Sequence, residues 1–191
     1  MNHKPRSRAV FLDRDGVINH AVVRDGKPYP PSSLAELKIT AGTESALKEL
    51  KDRGFKLIVV TNQPDVARGL QTQAAVETIH RALLSILPLD DIFVCYHSDE
   101  DHCDCRKPKP GMLLDAAKKH NIDLTHSYLV GDRWRDVEAG YNAGCKTILV
   151  DSGYNEKMPA HPPDARVGSL REAADWILRS SLEEPRDEVR V

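Results

Sequence analysis

Residues 10–19, VFLDRDGVIN, place a short apolar run directly before two carboxylates and a glycine. The apolar residues that lead in predict a strand, and Gly16 lets the chain leave that strand in a tight turn. Because side chains alternate along a strand, we expect Asp13 and Asp15 to point to one side and Arg14 to point away.

Two carboxylates this close repel each other unless a cation lies between them or their pKa values separate. If the pKa values separate, one carboxylate can attack while its neighbour acts as acid and base, which is a route to an aspartyl-phosphate intermediate. An acidic turn without chemistry fits the same residues equally well. This stretch alone leaves both interpretations open.

Further apolar runs alternate with amphipathic helical patterns along the chain. The predicted strands cover residues 8–13, 55–60, 91–95, 127–132 and 146–150, and the predicted helices cover 43–53, 72–86, 110–120, 133–142 and a last segment capped by Ser169. This alternation predicts an α/β, Rossmann-like domain whose mostly parallel sheet carries helices on both faces. Turns rich in glycine or proline predict a long loop over residues 20–38, with room for a small hairpin.

The composition fits one globular domain over residues 1–191, with disordered tails at 1–7 and 184–191. Hydrophobic residues make up 40% of the chain, charged residues 29%, and the formal net charge is -2. This charge gives no electrostatic basis for binding nucleic acid or a membrane surface. No apolar run approaches the roughly 18 residues of a spanning helix, and residues 1–8 lack a signal-peptide pattern, so we expect a cytoplasmic protein. We also expect a monomer.

Polar side chains follow several of the predicted strands at the point where each strand ends. Asp13 and Asp15 end the first strand, Thr61 and Asn62 end the second, and Asp132 ends the fourth. Ligands of parallel sheets bind beyond the carboxyl ends of the strands, so these side chains are expected at one site. Thr61 and Asn62 could donate hydrogen bonds to an oxyanion, or could serve only as turn caps.

Two further groups have the chemistry of such a site. Arg106 and Lys107 lie in a basic extended segment before a helix, where an anion would be favoured, although a solvated basic loop fits as well. Asp132 and Asp136 lie four residues apart and could hold a divalent cation, since hard cations prefer carboxylate oxygens. Acidic residues in a first helical turn also favour the helix dipole without any metal.

Three of the four cysteines lie between residues 95 and 105, which in a reducing compartment indicates a metal rather than disulfides. Three thiolates and one imidazole complete the closed tetrahedral shell of a structural zinc site, here Cys95, His97, Cys103 and Cys105. His102 is a rival fourth ligand. It adjoins Cys103, and adjacent residues chelate one ion awkwardly, so we prefer His97.

Together these residues resemble the haloacid dehalogenase (HAD) superfamily of phosphohydrolases. Its four motifs are similar to residues 13–17 (DRDGV), residues 61–62 (TN), Lys107, and residues 131–132 (GD) with Asp136. Within the superfamily, residues 9–150 resemble the heptose 1,7-bisphosphate phosphatases. Histidinol-phosphate phosphatases are similar and share the cysteine-rich loop. The resemblance to the heptose 1,7-bisphosphate phosphatases is carried by residues 11–16 (FLDRDG), 61–63 (TNQ), 67–69 (ARG), 105–108 (CRKP) and 110–112 (PGM).

The resemblance implies a phosphomonoesterase that removes the 7-phosphate of D-glycero-D-manno-heptose 1,7-bisphosphate, for nucleotide-sugar, lipopolysaccharide or surface-glycan synthesis. Asp13 would be the nucleophile that takes the phosphoryl group. Asp15 would protonate the leaving oxygen and then activate water, while Thr61 and Lys107 would hold the phosphoryl oxygens. Phosphoryl transfer needs positioning and charge neutralisation, and these groups supply both.

The resemblance also implies two metal ions. Mg²⁺ would be bound by Asp13, the main-chain carbonyl of Asp15, and Asp132, with Asp136 supporting them from behind. A structural Zn²⁺ would be bound by the cysteine-rich loop and would stiffen it. Arg106 on that loop would contact the second phosphate or the sugar through a bidentate fork.

Asn62 and Arg133 are the remaining candidates for substrate binding. The predicted elements leave no room for a cap domain, which implies an open site. The chain departs from the heptose enzymes in a longer, proline-rich stretch at residues 23–38 and in Pro64-Asp65, where the family has Ser-Gly. Both departures lie where a sugar would be recognised, so histidinol phosphate or another small phosphomonoester remains an alternative substrate. A non-catalytic, zinc-stabilised binding module is the alternative of a different class.

Overall fold

The structure, a computed structural model, describes residues 6–24, 27–153 and 157–183. The expected tails lie outside this range except for residues 6 and 7, and so do residues 25 and 26 of the predicted long loop. Ser7 was expected in a disordered tail, but its backbone N–H donates to the carbonyl of Asn121 at 2.9 Å. Ser7 is therefore held in place ahead of the first strand.

Eight strands are present in the described residues. They are β1 (Ala9–Leu12), β2 (Val22–Arg24), β3 (Lys27–Tyr29), β4 (Lys56–Asn62), β5 (Asp91–Cys95), β6 (Tyr128–Gly131), β7 (Lys146–Val150) and β8 (Ala165–Val167). Six of them form one sheet in the order β5-β4-β1-β6-β7-β8, and every neighbouring pair is parallel. β2 and β3 form a separate antiparallel hairpin. The predicted α/β fold with a parallel sheet is confirmed.

Five α-helices cover the sheet: α1 (Thr43–Asp52), α2 (Gln73–Ile86), α3 (Gly111–His120), α4 (Trp134–Ala143) and α5 (Leu170–Glu183). The central strand β1 shows how the two faces divide. Val10 and Leu12 pack into a core with side chains of α1, α2 and α5, whereas Ala9 and Phe11 pack into a second core with α3 and α4. Because both faces of β1 are covered, the strand is apolar throughout, as is typical of buried parallel strands.

The element boundaries follow local sequence signals. The predicted cap of α2 is confirmed, because the Thr72 hydroxyl accepts from the backbone N–H of Ala75 at 3.2 Å. α1 ends before Gly54, whose φ of +82° lies in the left-handed region. Pro110 precedes α3 rather than occupying its first helical position. None of the helices in the described part of the chain has the length and apolar character needed to cross a bilayer.

The sequence prediction missed β8. This strand has three residues, and it pairs with β7 at the edge of the sheet through Leu149 and Arg166 among others. Three residues at the edge of a sheet give too short a pattern to separate a strand from a loop. It widens the sheet beyond β7 and leaves the predicted convergence of the ends of β1, β4 and β6 unchanged.

Candidate active site

The carboxyl ends of β1, β4 and β6 meet at one edge of the sheet, as predicted. The backbone N–H of Asp13 donates to Val130 O at 2.9 Å, which continues the β1–β6 pairing to the strand ends. A cavity of about 270 Å³ opens at this edge. All eight predicted catalytic, substrate-binding and magnesium-binding residues line it: Asp13, Asp15, Thr61, Asn62, Arg106, Lys107, Asp132 and Arg133.

Lys107 lies at the floor of this cavity and is almost fully buried. Its Nζ is 2.8 Å from Asp13 Oδ1, 2.5 Å from Asp136 Oδ1 and 2.8 Å from the carbonyl oxygen of Val60. Burial lowers the pKa of Lys107, but Asp13 and Asp136 together raise it by more, so the pKa lies above its ordinary value. Lys107 is therefore a permanent cation beside the predicted nucleophile.

Asn62 fixes the backbone that carries Lys107. Its Nδ2 donates to the carbonyl of Lys107 at 3.1 Å, and its Oδ1 accepts from the N–H of Lys107 at 3.1 Å. Both polar ends of the Asn62 side chain are thus engaged by the backbone of one residue. These two bonds give Asn62 a positioning role toward Lys107 that the sequence did not predict, and they use one of the two N–H donors of its amide.

The carboxylate of Asp15 is held by three side chains. It accepts from Asn19 Nδ2 at 2.9 Å, from Gln63 Nε2 at 2.9 Å and from Arg14 Nη2 at 2.8 Å. Asp13 and Asp15 line the cavity and Arg14 does not, which agrees with the expectation that Arg14 points away. Its guanidinium nevertheless reaches the Asp15 carboxylate. Gln63 Nε2 also donates to the Thr61 hydroxyl at 2.9 Å, which links Asp15 to the end of β4.

Arg14 is fully buried, and a second partner lies behind it. Its Nη1 lies 3.0 Å from Nε2 of His80 on α2. Burial, assisted by the Arg14 charge, lowers the pKa of His80 to about 4, so the ring is neutral at pH 7 and Nε2 accepts the hydrogen bond. The sequence predicted no role for Asn19, Gln63 or His80. The contacts of Gln63 and His80 join segments that are distant in sequence, whereas Asn19 lies four residues from Asp15.

Three buried carboxylates crowd the floor of the cavity. Single oxygens of Asp13, Asp132 and Asp136 lie within 4.8 Å of one another. Burial raises the pKa of Asp13 to about 6 although Lys107 opposes it, and burial together with Asp13 raises the pKa of Asp132 well above its ordinary value. Lys107 offsets only part of this negative charge, so the group favours a proton or a further cation.

A divalent cation fits this cluster. Asp132 Oδ1 is buried and finds no hydrogen-bond partner within the described residues. Both oxygens of Asp136 have donors nearby, since Oδ1 faces Lys107 and Oδ2 accepts from the N–H of Arg133 at 3.1 Å. Asp13 and Asp132 are therefore the carboxylates best placed to bind Mg²⁺, and Asp136 supports them, in line with the sequence-based assignment.

Gly16 is needed for the approach of Asp132. Its φ is +91°, and a Cβ at this position would lie 1.9 Å from Asp132 Oδ2. We expect Gly16→Ala to displace the Asp132 carboxylate and lower kcat/KM by about 100-fold, with weaker Mg²⁺ dependence of Tm, because a shift near 1 Å at such a site has effects of that size. The measurements are phosphatase assays and melting curves across an Mg²⁺ titration.

Gly54→Ala is the matched control for this prediction. Gly54 has a similar φ of +82°, but a Cβ there meets no atom of the described residues within 4 Å. It should show only the conformational cost of a left-handed residue, about 1–2 kcal/mol of stability, with normal Mg²⁺ binding. Equal losses of Mg²⁺ affinity in the two variants would contradict the proposed role of Gly16.

The cysteine-rich loop begins at the end of β5, next to the cavity edge. The Sγ atoms of Cys95, Cys103 and Cys105 lie 3.1 to 3.7 Å apart, and His97 Nδ1 lies 3.3 Å from Cys105 Sγ. Zn–S bonds of about 2.3 Å in a tetrahedron place sulfur atoms about 3.8 Å apart, so these four atoms are spaced for one zinc ion. The cluster contains His97 and not His102.

Loss of one zinc ligand should destabilise the loop and the chain. We expect Cys103→Ser to lower the free energy of unfolding by about 2 kcal/mol or more, or about 4–8 °C in Tm, because metal-binding free energy contributes to folding. Zinc content by atomic spectroscopy should fall from one ion per chain. Cys145→Ser, at a thiol outside the cluster, should retain the zinc. A zinc-free variant with unchanged Tm and activity would refute the structural role.

Arginine side chains dominate the outer part of the cavity. Arg68, Arg106, Arg133 and Arg135 all contribute to its lining. Arg106 Nη1 donates to the carbonyl of His97 at 3.2 Å, which fixes the side chain against the cysteine-rich loop. Arg133 precedes α4 and its side chain is exposed at the rim. The floor of the cavity is therefore acidic and suited to a metal ion, whereas the rim is basic and suited to an anion.

The chain has extensive similarity to known proteins. The HAD-hydrolase-like family model matches residues 104–173. A D-glycero-beta-D-manno-heptose-1,7-bisphosphate 7-phosphatase of Helicobacter pylori is 37% identical over 177 residues, covering 90% of this chain and 97% of the relative. The enzyme of that name from Escherichia coli is 38% identical over 192 residues, covering 93% of this chain and 91% of the relative.

Solved structures agree with these matches. The crystal structure of D,D-heptose 1,7-bisphosphate phosphatase from B. bronchiseptica, complexed with magnesium and phosphate, has a TM-score of 0.77 and 33% identity, covering 91% of this chain and 99% of that chain. The corresponding enzyme from Burkholderia thailandensis has a TM-score of 0.63 and 27% identity, covering 90% and 98%. Sequence and fold thus point to the same group of proteins.

Proposed function

The chain belongs to the heptose-bisphosphate 7-phosphatases of the HAD-like hydrolase family, and we propose that it removes the 7-phosphate of D-glycero-D-manno-heptose 1,7-bisphosphate. Since the relatives from H. pylori and E. coli are named for the β anomer, we propose the β anomer as substrate. The observation that carries the proposal is the buried Lys107 within 2.8 Å of Asp13, beside a carboxylate cluster that fits a divalent cation.

In the first step, an oxygen of Asp13 attacks the phosphorus of the 7-phosphate. The bond between phosphorus and the sugar oxygen breaks, and Asp15 gives its proton to that oxygen. The products are an aspartyl-phosphate on Asp13 and the free 7-hydroxyl of the sugar. The hydrogen bonds from Asn19, Gln63 and Arg14 hold the Asp15 carboxyl group in one orientation, which this proton transfer requires.

In the second step, Asp15 takes a proton from water, and the water oxygen attacks phosphorus. The bond between phosphorus and Asp13 breaks, which releases inorganic phosphate and restores the Asp13 carboxylate. Lys107 faces the charge that develops on the phosphoryl oxygens. Thr61 is suited to donate to one of them, because its hydroxyl oxygen already accepts from Gln63.

Asp13 and Asp132, with Asp136 behind them, would hold Mg²⁺. The main-chain carbonyl of Asp15 is the further ligand that we propose. When bound, Mg²⁺ supplies positive charge that neutralises phosphoryl oxygens and orients them toward the nucleophile. Zn²⁺ would bind Cys95, His97, Cys103 and Cys105 and play no chemical part, since four protein ligands leave no open position for substrate or water.

The test is phosphate release in the presence of Mg²⁺ from the α and β anomers of the heptose 1,7-bisphosphate, with histidinol phosphate and fructose 1,6-bisphosphate alongside. We expect the highest kcat/KM for the β anomer of the heptose. Preference for histidinol phosphate would change the proposed substrate but retain the proposed phosphatase activity. A folded, zinc-loaded protein that releases phosphate from none of the four would instead support a binding module.

A further inference from the structure

Arg135 is a rim residue that the proposed reaction leaves without a role. It lies in the first turn of α4, lines the cavity, and shares a partner with Arg106. That partner is Asp99, which lies between His97 and Cys103 in the cysteine-rich loop. Arg106 Nε lies 2.9 Å from Asp99 Oδ1, and Arg135 Nη1 lies 2.7 Å from the same oxygen.

Each arginine also approaches the other oxygen of Asp99. Arg106 Nη2 and Arg135 Nη2 both lie 3.4 Å from Asp99 Oδ2. Two guanidinium groups thus contact one carboxylate. Arg135 reaches Asp99 from α4, 36 residues further along the chain. Planar, bidentate donors of this kind match the oxygens of a carboxylate and of a phosphate.

The charges of this cluster do not balance. Two guanidinium groups carry two positive charges, and the single carboxylate of Asp99 offsets one of them. A phosphate group carries nearly two negative charges and three acceptor oxygens, so it satisfies both arginines more completely. The Asp99 side chain is 51% exposed whereas that of Arg106 is 10% exposed, so the carboxylate is the member of the cluster that can leave for solvent.

We infer that Arg135 joins Arg106, for which the family resemblance already implies contact with the second phosphate or the sugar, in binding the phosphate that the enzyme does not cleave. Asp99 occupies this arginine pair until the substrate displaces it. Arg135 is then a residue that determines specificity for a bisphosphate over a monophosphate. This inference rests on the proposed function. It places both phosphates in one cavity, since Asp13, Asp99 and Arg135 all line it.

Displacement also has a consequence for affinity. The carboxylate of Asp99 competes with the second phosphate for the same donors, so it weakens binding of the bisphosphate and leaves a monophosphate unaffected. Asp99 would thereby keep two arginines ordered in the free enzyme at the expense of substrate affinity. Arg106 would keep its hydrogen bond to His97 O whether Asp99 or the second phosphate is bound, so the arginine pair stays attached to the cysteine-rich loop.

The experiment compares kcat and KM for the heptose 1,7-bisphosphate and the heptose 7-phosphate in Arg135→Gln, Arg135→Lys and Asp99→Asn. For Arg135→Gln we expect KM for the bisphosphate to rise about 10-fold, with kcat within about twofold and KM for the monophosphate unchanged, since a charge-assisted hydrogen bond has been lost. Arg135→Lys should recover part of this loss. Asp99→Asn should lower KM for the bisphosphate about threefold or more.

Arg81→Gln is the control, because Arg81 is an exposed arginine on α2 that does not line the cavity. An equal change of KM for both substrates in Arg135→Gln, or a higher bisphosphate KM in Asp99→Asn, would overturn the inference while the proposed function stands. A wild-type enzyme that hydrolyses neither heptose phosphate would overturn the proposed function itself. The two failures are therefore distinguishable in one set of assays.

Discussion

Asp13→Asn should lower kcat for phosphate release by about 10⁴-fold or more. An amide is a far weaker nucleophile than a carboxylate and cannot form the aspartyl-phosphate, and loss of a covalent nucleophile has effects of this order in other hydrolases. The substitution also removes one of the three buried carboxylates that we assign to the metal site. The measurement is single-turnover and steady-state phosphate release under saturating Mg²⁺.

The fold should survive this substitution, because Asn has nearly the volume of Asp and the buried site already carries excess negative charge. Burial raises the pKa of Asp13 to about 6, which shows that the charged form is disfavoured there. Asp115→Asn, at an exposed position of α3, controls for the chemical change alone. More than about 1% residual activity in a folded Asp13→Asn protein would contradict covalent catalysis by Asp13.

The sequence was sufficient to predict which strand ends carry the site. Apolar runs that stop at Asp13, Thr61 and Asp132 indicated parallel strands, and the topology of such strands brings their carboxyl ends together. The cluster that fits a zinc ion could also be predicted, because Cys95, His97, Cys103 and Cys105 lie within one short segment. Features that depend on a local sequence pattern, or only on the direction of a strand, can be predicted from the sequence alone.

The contacts behind the site could not be deduced in this way. His80 reaches Arg14 across 66 residues, and Gln63 reaches Asp15 across 48 residues. Each pairing depends on where α2 and β4 pack against the turn after β1, and no periodicity encodes that distance. Arg14 illustrates the limit most clearly, since strand alternation predicts that it points away but does not predict its hydrogen bond to Asp15.

The role of Asn62 shows a related limit. A polar residue at a strand end predicts a ligand contact as readily as a backbone contact, and only the structure reveals the two 3.1 Å hydrogen bonds to the Lys107 backbone. Arg135 and Asp99 were missed for the opposite reason. Their charges resemble ordinary solvated residues of a helix and a loop until the fold places them around one cavity.

Lys107→Met should lower kcat by about 1000-fold, because the ammonium group that stabilises the phosphoryl oxygens is lost. It should also lower the free energy of unfolding in EDTA by about 3–5 kcal/mol, since Asp13 and Asp136 lose their buried cationic partner. Lys109→Met is the matched control. Lys109 lies two residues away, is 49% exposed and pairs with the surface residue Asp104, so its loss should have little effect on either quantity.

The pH dependence distinguishes this electrostatic role from simple packing. Without the ammonium group, the pKa of Asp13 should rise further above its unfolded value, so the folded state binds more protons than the unfolded state. The deficit in stability should therefore be small near pH 5, where a proton replaces the lysine charge, and should grow as the pH rises toward 8. Mg²⁺ should raise the Tm of Lys107→Met more than that of the wild type, because a second cation then neutralises the same carboxylates. A stability deficit that is independent of pH and of Mg²⁺ would show that Lys107 acts through its packing and not through its charge.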